Sequence, residues 1–435
     1  MAAPSPSAAV GPAPLTAADI EAARPRLESV VRRTPVHLSE RLTEIAGRRV
    51  WLKREDLQAV RSYKIRGALL FLQSLDADER ARGVVAASAG NHAQGVAFAC
   101  KALGIDARIY VPSTTPRQKR DRIVALGGDR VTLILSGETF DDAAERALED
   151  SASTGAVFVP PFDSPTVMAG QGTVVAEAIE QIRSEHDGTV STVVLPVGGG
   201  GLLGGSATWL AEREPDVRVI GAEPAGAASM AAAVMAGRPV ALREMERFID
   251  GAAVRRVGSA PLAAVQQAAP QLVAVDEGAV CTEMLALYQV DGIIAEPAGA
   301  LAAAAVATGQ AAPRSDDEAA GGILVVISGG NNDVSRYNEV VERSLVHEGL
   351  KHYFLVTFAQ EPGALRRFLT HVLGEGDDIV LFEYIKRNNR ETGPALVGLE
   401  LGARENLEPL LQRMAASDME IERIDPDGPL YRYLT

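Results

Sequence analysis

Four consecutive glycines, Gly198, Gly199, Gly200 and Gly201, follow the apolar run Thr192 to Val197 and precede Leu202 and a helix-like stretch. Residues without Cβ let backbone N–H groups crowd round an anion, and the N-terminus of a following helix adds favourable partial charge. The arrangement is suited to cradle a phosphate at the carboxyl end of a strand, where α/β sheets bind ligands. Taken alone, a glycine run is as readily a flexible turn. No Lys-Ser or Lys-Thr follows it, and it lacks the spacing of a dinucleotide fingerprint, so a phosphate-bearing cofactor other than a nucleotide gains weight.

A cofactor with a reactive carbonyl needs an amine. Lysine occurs only at Lys53, Lys64, Lys101, Lys119, Lys351 and Lys386. Lys64 stands out within Ser62-Tyr63-Lys64-Ile65-Arg66-Gly67-Ala68, after the polar run from Lys53 to Gln58 and just ahead of a helix, where an amine can face a cleft. By itself, a lysine at a helix start is ordinarily a solvated charge.

Two further segments sit where a strand gives way to other structure. Ala87 to Gly95 places Ser88, Gly90, Asn91 and His92 at a helix start, where N–H and hydroxyl groups suit a carboxylate; an ordinary N-cap by Asn91 or Ser88 is the plainer alternative. His92 has no acid or ligand partner nearby in sequence, so its backbone is expected to contribute rather than its ring. Ile327 to Asn331 ends the last strand of the region with Ser328, whose hydroxyl can hydrogen-bond a ring nitrogen, although Ser-Gly-Gly is also a common turn.

These segments need a frame that brings them together. Val84 to Ala87, Ala107 to Val111, Val131 to Leu135, Ala156 to Val159, Thr192 to Val197, Arg218 to Ala222 and Ile323 to Ile327 read as buried strands. Helical patterns such as Ala93 to Leu103, Pro116 to Leu126, Thr139 to Ser151 and Gly172 to His186 lie between them. The alternation implies open, mostly parallel α/β sheet with helices on both faces. Gly309 to Gly322 reads as a surface loop. Beyond Gly349 the order is β-α-β-β-α-β, that of a ferredoxin-like α+β domain: strands Lys351 to Phe358, Ile379 to Lys386, Pro394 to Leu401 and Met419 to Ile424, helices Gly363 to Leu373 and Glu405 to Ala416. The expected division is a disordered tail over 1–14, a catalytic domain over 15–346 with a small subdomain at about 57–165, a regulatory domain over 349–424, and a tail over 425–435.

Together, Ser62 to Ala68, Ser88 to Gly95, Gly198 to Leu202 and Ser328 to Asn331 resemble the fold-type II pyridoxal 5′-phosphate (PLP) enzymes, most closely the threonine ammonia-lyase family. The resemblance covers nearly the whole chain from Leu15, with all four segments in the family's order. It implies two open twisted α/β subdomains with Lys64 holding PLP covalently. It also implies that Asn91 binds the phenolic oxygen, that Gly198, Gly199, Gly200, Gly201 and Leu202 cup the phosphate through N–H groups, and that Ser328 faces the ring nitrogen. Ser88, Gly90, Asn91 and His92 would surround the substrate carboxylate. The implied reaction is β-elimination from L-threonine to 2-oxobutanoate and ammonia, the committed step toward isoleucine, with Lys64 removing the Cα proton.

The segment from Lys351, with Pro362 to Arg366, Asp377 to Ile379, Tyr384 and Asn388 to Pro394, resembles the ACT-like domain of the biosynthetic members. That likeness implies isoleucine as feedback inhibitor and a homotetramer. A docking domain that only supports oligomerisation is the alternative reading of this part. In the related serine racemases a divalent cation binds after a Glu-Pro pair. Here Glu223-Pro224 is followed by Ser229 where that site has a carboxylate, so no divalent metal is expected, while Glu223 with carbonyl oxygens suits at most a monovalent cation. Glu296-Pro297 fits the family as a helix start flanking the site, or an ordinary capped core helix.

Composition agrees with a small-molecule enzyme. The 435 residues, 47% hydrophobic and 23% charged, suit a large core divided into two or three units, and the net charge of −14 arises without the basic stripe that nucleic-acid binding requires. Cys100 and Cys281 are far apart and suit neither a disulfide nor zinc, which fits a reducing cytoplasm. The most apolar stretches are too short to cross a bilayer of about 30 Å. The rival readings are serine ammonia-lyase, serine racemase or threonine synthase activity on the same fold, or an amino-acid sensor that has kept the scaffold without catalysis.

Overall fold

Strands rich in Val, Ile and Leu that are buried on both faces are the mark of a parallel sheet covered by helices on either side. Val84–Ala87 and Gly322–Ile327 are of this kind, buried at every position. The computed structural model describes residues 14–384, 391–425, 428, 430 and 431. The chain divides into two units: one comprises the chain to Glu277 together with Ala286–Asn332, the other Gly278–Leu285 and the chain from Asp333.

In chain order, the strands of the first unit are β1 (Val36–Leu38), β2 (Val50–Arg54), β3 (Val84–Ala87), β4 (Ala107–Val111), β5 (Val131–Leu135), β6 (Val157–Phe158), β7 (Val190–Pro196), β8 (Arg218–Pro224), β9 (Gln271–Val275) and β10 (Gly322–Ile327). Among the described residues they form two sheets. The larger has the order β1-β2-β10-β7-β8-β9 and is parallel apart from the β1–β2 pair; the smaller, β5-β4-β3-β6, is wholly parallel.

Sequence patterns did not mark β1, β2 or β9. The sequence of β2 is Val-Trp-Leu-Lys-Arg, and its two cations read as a polar, exposed run, yet all five residues are buried. Lys53 is fully buried because its ammonium donates to Glu177 Oε1 (2.5 Å), Gln181 Oε1 (2.7 Å) and the Thr34 carbonyl (2.7 Å). Charge enters a core only with such partners. The expected surface loop from Gly309 to Gly322 contains a short helix, Asp316–Ala320, capped by the Ser315 hydroxyl accepting from Glu318 N (3.2 Å).

Helices Lys64–Ser74 and Pro165–His186 cross with their backbones nearly touching. A Cβ on Gly170 would lie 2.7 Å from both Arg66 O and Gly67 Cα. No larger residue fits there, so this crossing fixes the start of the lysine-bearing helix against the long helix behind it.

The second unit carries β11 (Lys351–Ala359), β12 (Asp378–Tyr384), β13 (Thr392–Glu400) and β14 (Glu420–Arg423) in the order β12-β13-β11-β14, all antiparallel. Phe368, Leu410 and Met414, from helices Ala364–His371 and Leu407–Ala416, close a core with Phe354, Val356, Phe358, Val397 and Leu399. This is the ferredoxin-like arrangement. Lys386 and Asn388 to Arg390, together with nearly all of the expected N-terminal tail and most of the C-terminal one, lie outside the described residues. Among the described residues no helix is long and apolar enough to cross a membrane.

Candidate active site

The segment before Lys64 is stitched to the end of β10. Tyr63 N donates to Ser328 O (3.1 Å), Gly330 N donates to Arg61 O (2.9 Å), and Ser62 and Gly329 form a β-bridge. Two motifs from opposite ends of the catalytic region thereby become neighbours. Lys64 opens helix Lys64–Ser74, and its ammonium donates to Pro161 O (3.1 Å). The residue is half-buried, and the protein packed around its ammonium pushes its pKa down to about 8, against the attraction of the Glu296 carboxylate. The solvated-charge alternative does not describe it. An amine with that pKa is neutral in roughly a tenth of molecules at pH 7, enough to act as nucleophile or base.

Glycines 198–201 connect β7 to helix Gly201–Arg213. Gly200 has φ of +90°, a conformation open to glycine but strained for other residues, and a Cβ on Gly199 would strike the Phe162 ring at 2.2 Å. Among the described residues, the N–H groups of Gly198, Gly199, Gly200, Gly201 and Leu202 donate to no carbonyl or side chain. Five unpartnered donors at a helix N-terminus form an anion cradle that fits a phosphate.

A second set of donors opens helix Asn91–Leu103, where the N–H groups of Asn91, His92 and Ala93 also lack acceptors among the described residues. The space where a Gly90 Cβ would sit is open, leaving room for a small anion, and Ser88 Oγ accepts from Gly90 N (3.2 Å). The His92 ring is turned away from that opening. It is buried, its Nε2 lies 2.9 Å from Val159 O, and burial together with the Lys64 charge pushes its pKa down to about 3, so it is a neutral donor. Only the His92 backbone is available to a ligand.

The Asn91 side chain is held at both ends. Its Nδ2 donates to Glu296 Oε1 (2.5 Å), and its Oδ1 accepts from Asn331 Nδ2 (2.7 Å), which also donates to Val60 O (2.8 Å). Ser328 is buried beside them, its hydroxyl donating to Ala298 O (3.2 Å). Glu296 is buried, and desolvation together with Asp250 raises its pKa to about 7, opposed by the Asn91 hydrogen bond, Lys119 and Arg61.

Behind the lysine lies a charge network that sequence reasoning missed. Arg66 bridges Glu55 (2.8 Å) and Glu177 (3.0 Å), and Lys53 shares Glu177. Burial works against the Glu55 carboxylate, but the Arg66 charge and hydrogen bonds outweigh it and hold its pKa below the usual range. Pro161, Phe162 and Asn331 were likewise assigned no role from sequence, and Glu296 only that of a helix start flanking the site. Asn331 ends a motif already singled out, and Glu296-Pro297 marked a helix start, whereas nothing local distinguished Pro161 or Phe162. Glu223 is buried and accepts from Met230 N (2.7 Å) and Ala231 N (2.9 Å), with burial raising its pKa to about 7.

A family model described as "Pyridoxal-phosphate dependent enzyme" matches residues 27–329, and one described as "C-terminal regulatory domain of Threonine dehydratase" matches residues 342–434. The chain is similar to the "L-threonine dehydratase biosynthetic IlvA" of Mycobacterium tuberculosis, 56% identical over 422 residues, covering 97% of this chain and 96% of the relative. It is also similar to the protein of the same description from Bacillus subtilis, 44% identical over 412 residues, covering 95% and 96%. Among solved structures, the processed form of threonine deaminase isoform 2 from Solanum lycopersicum superposes with a TM-score of 0.69 at 38% identity, covering 75% of this chain and 92% of that one. Maize serine racemase gives a TM-score of 0.69 at 30% identity, covering 77% and 99%.

Proposed function

The chain belongs to the family of pyridoxal-phosphate dependent enzymes, and from that premise we propose that it dehydrates and deaminates L-threonine to 2-oxobutanoate and ammonia under feedback control by isoleucine. Similarity to biosynthetic threonine dehydratases along 97% of the chain, regulatory domain included, is the observation that carries this reading.

Lys64 is the residue that holds PLP, the unpartnered N–H groups of Gly198 to Leu202 take its phosphate, Asn91 meets the phenolic oxygen and Ser328 the ring nitrogen. When bound, PLP supplies an electron sink for the carbanion left at the substrate Cα. The helix start at Asn91, with Ser88, Gly90 and the His92 N–H, holds the substrate carboxylate. Lys64 Nζ, kept largely deprotonable by burial, takes the Cα proton. The same Nζ then carries a proton to the departing β-hydroxyl, which leaves as water. The remaining enamine hydrolyses in solution to the keto acid and ammonia. A neutral Ser328 leaves the ring a weaker sink than a carboxylate partner would, which favours prompt elimination over transamination.

Catalysis is assigned to 15–346 and regulation to 349–424. Within the second unit, a cavity of about 440 Å³ is lined by Phe358, Leu365, Arg366, Leu369, Phe382 and Tyr384. That lining suits the branched side chain of isoleucine, with the guanidinium for its carboxylate. A homotetramer in the cytoplasm, with Cys100 and Cys281 both buried and not joined in a disulfide, completes the reading. The test is 2-oxobutanoate formation by the purified PLP-loaded protein from L-threonine, with L-serine alongside and isoleucine added. Threonine turnover that isoleucine suppresses is expected; no keto acid from threonine would overturn the proposal.

A further inference from the structure

Asparagine presents a particular difficulty as a cofactor ligand, because its amide has a donor end and an acceptor end of nearly the same shape. A flipped Asn91 would aim a carbonyl where an N–H is required. In this fold both ends are fixed from outside the motif that contains Asn91. Glu296, the residue before helix Pro297–Ala307, accepts from Nδ2, and Asn331, four residues past the end of β10, donates to Oδ1. With Glu296 ionised, a flip would set Asn91 Oδ1 against a carboxylate oxygen and its Nδ2 against the Asn331 amide nitrogen, replacing two attractions with two repulsions. Gly329 makes room for this: a Cβ there would lie 2.0 Å from Glu296 Oε1 and 3.3 Å from Asn91 Nδ2.

We propose that Glu296 and Asn331 are positioning residues that fix the orientation of the Asn91 amide, reserving its second N–H for the phenolic oxygen of PLP. The inference rests on the cofactor assignment above and adds two residues to it. Its consequence is that Glu296 and Asn331 act on the cofactor only through Asn91.

The experiment is a PLP titration of the cofactor-free full-length protein, read by the visible absorption band, for the native chain, Glu296→Ala, Asn91→Ala and the double variant. Glu296→Ala is expected to weaken PLP binding about tenfold or more and to shift the band, while the double variant binds no worse than Asn91→Ala alone. Glu296→Gln keeps an acceptor oxygen and should stay within about threefold of native. Additive losses in the double variant, native affinity in Glu296→Ala, or a Glu296→Gln as impaired as Glu296→Ala would overturn the inference. Should Glu296→Ala not fold, the same cycle with Asn331→Ala and Asn91→Ala decides it, and additivity again overturns it. A native chain that binds no PLP would sink the cofactor assignment itself, an outcome distinct from binding with additive variants.

Discussion

The Lys64 ammonium donates to the carbonyl of Pro161 at 3.1 Å, and the next residue, Phe162, lies against Gly199 of the glycine run. One short segment after β6 thus touches both the amine and the anion cradle. These contacts tie the amine and the glycine run to one segment of the chain.

Replacing Lys64 by Ala would remove the group proposed as both covalent anchor and proton carrier. Turnover of threonine should fall by at least about a thousandfold, and the purified protein should lose its visible band while keeping native circular dichroism. A variant retaining more than a few per cent of native activity would contradict the assignment.

Burial places the Lys64 pKa at about 8, below the 10.5 of a free lysine. The neutral, reactive amine therefore becomes dominant above about pH 8 rather than above 10.5. Cofactor-free protein mixed with PLP should capture it at a rate that rises through pH 7–8 and levels off above about 9. A rate still climbing steeply between pH 9 and 10 would show that the amine is not depressed.

Glu177 compensates two buried cations, Arg66 and Lys53. Glu177→Ala leaves Lys53 buried without its carboxylate and should destabilise the fold by ~3–5 kcal/mol in urea unfolding. A loss under ~1 kcal/mol would mean that the network relaxes and does not support the lysine-bearing helix.

The cavity proposed to take isoleucine sets its own test. Arg366→Ala should raise the isoleucine concentration for half-maximal inhibition at least about tenfold, as expected when a charged hydrogen-bonding partner of a carboxylate is lost. Unchanged inhibition, together with unchanged isoleucine binding by calorimetry, would place the effector elsewhere.

Much of the architecture is legible from local signals. Short, largely apolar runs mark β3, β4 and β5 to the residue, and the alternation of strand and helix beyond Gly349 yields the ferredoxin-like order. What stayed hidden depends on pairing at long range. β2 was unreadable because Lys53 and Arg54 look solvated until Glu177 and Gln181, from a helix far along the chain, are placed beside Lys53. The glycine run, Lys64, Asn91 and Ser328 are each ambiguous alone and gain meaning from the family resemblance of their motifs taken together, whereas Glu296 and Asn331 matter through what they touch. His92 shows the reverse case, a conspicuous residue whose ring is engaged by Val159 O and cannot reach a ligand.

The most direct test of the account is chemical. The holoenzyme would be reduced with borohydride, digested, and its peptides examined by mass spectrometry for the pyridoxyl group. The added mass is expected on the peptide containing Lys64. The group on a peptide containing Lys53, Lys101, Lys119, Lys351 or Lys386 instead, or on none, would contradict it.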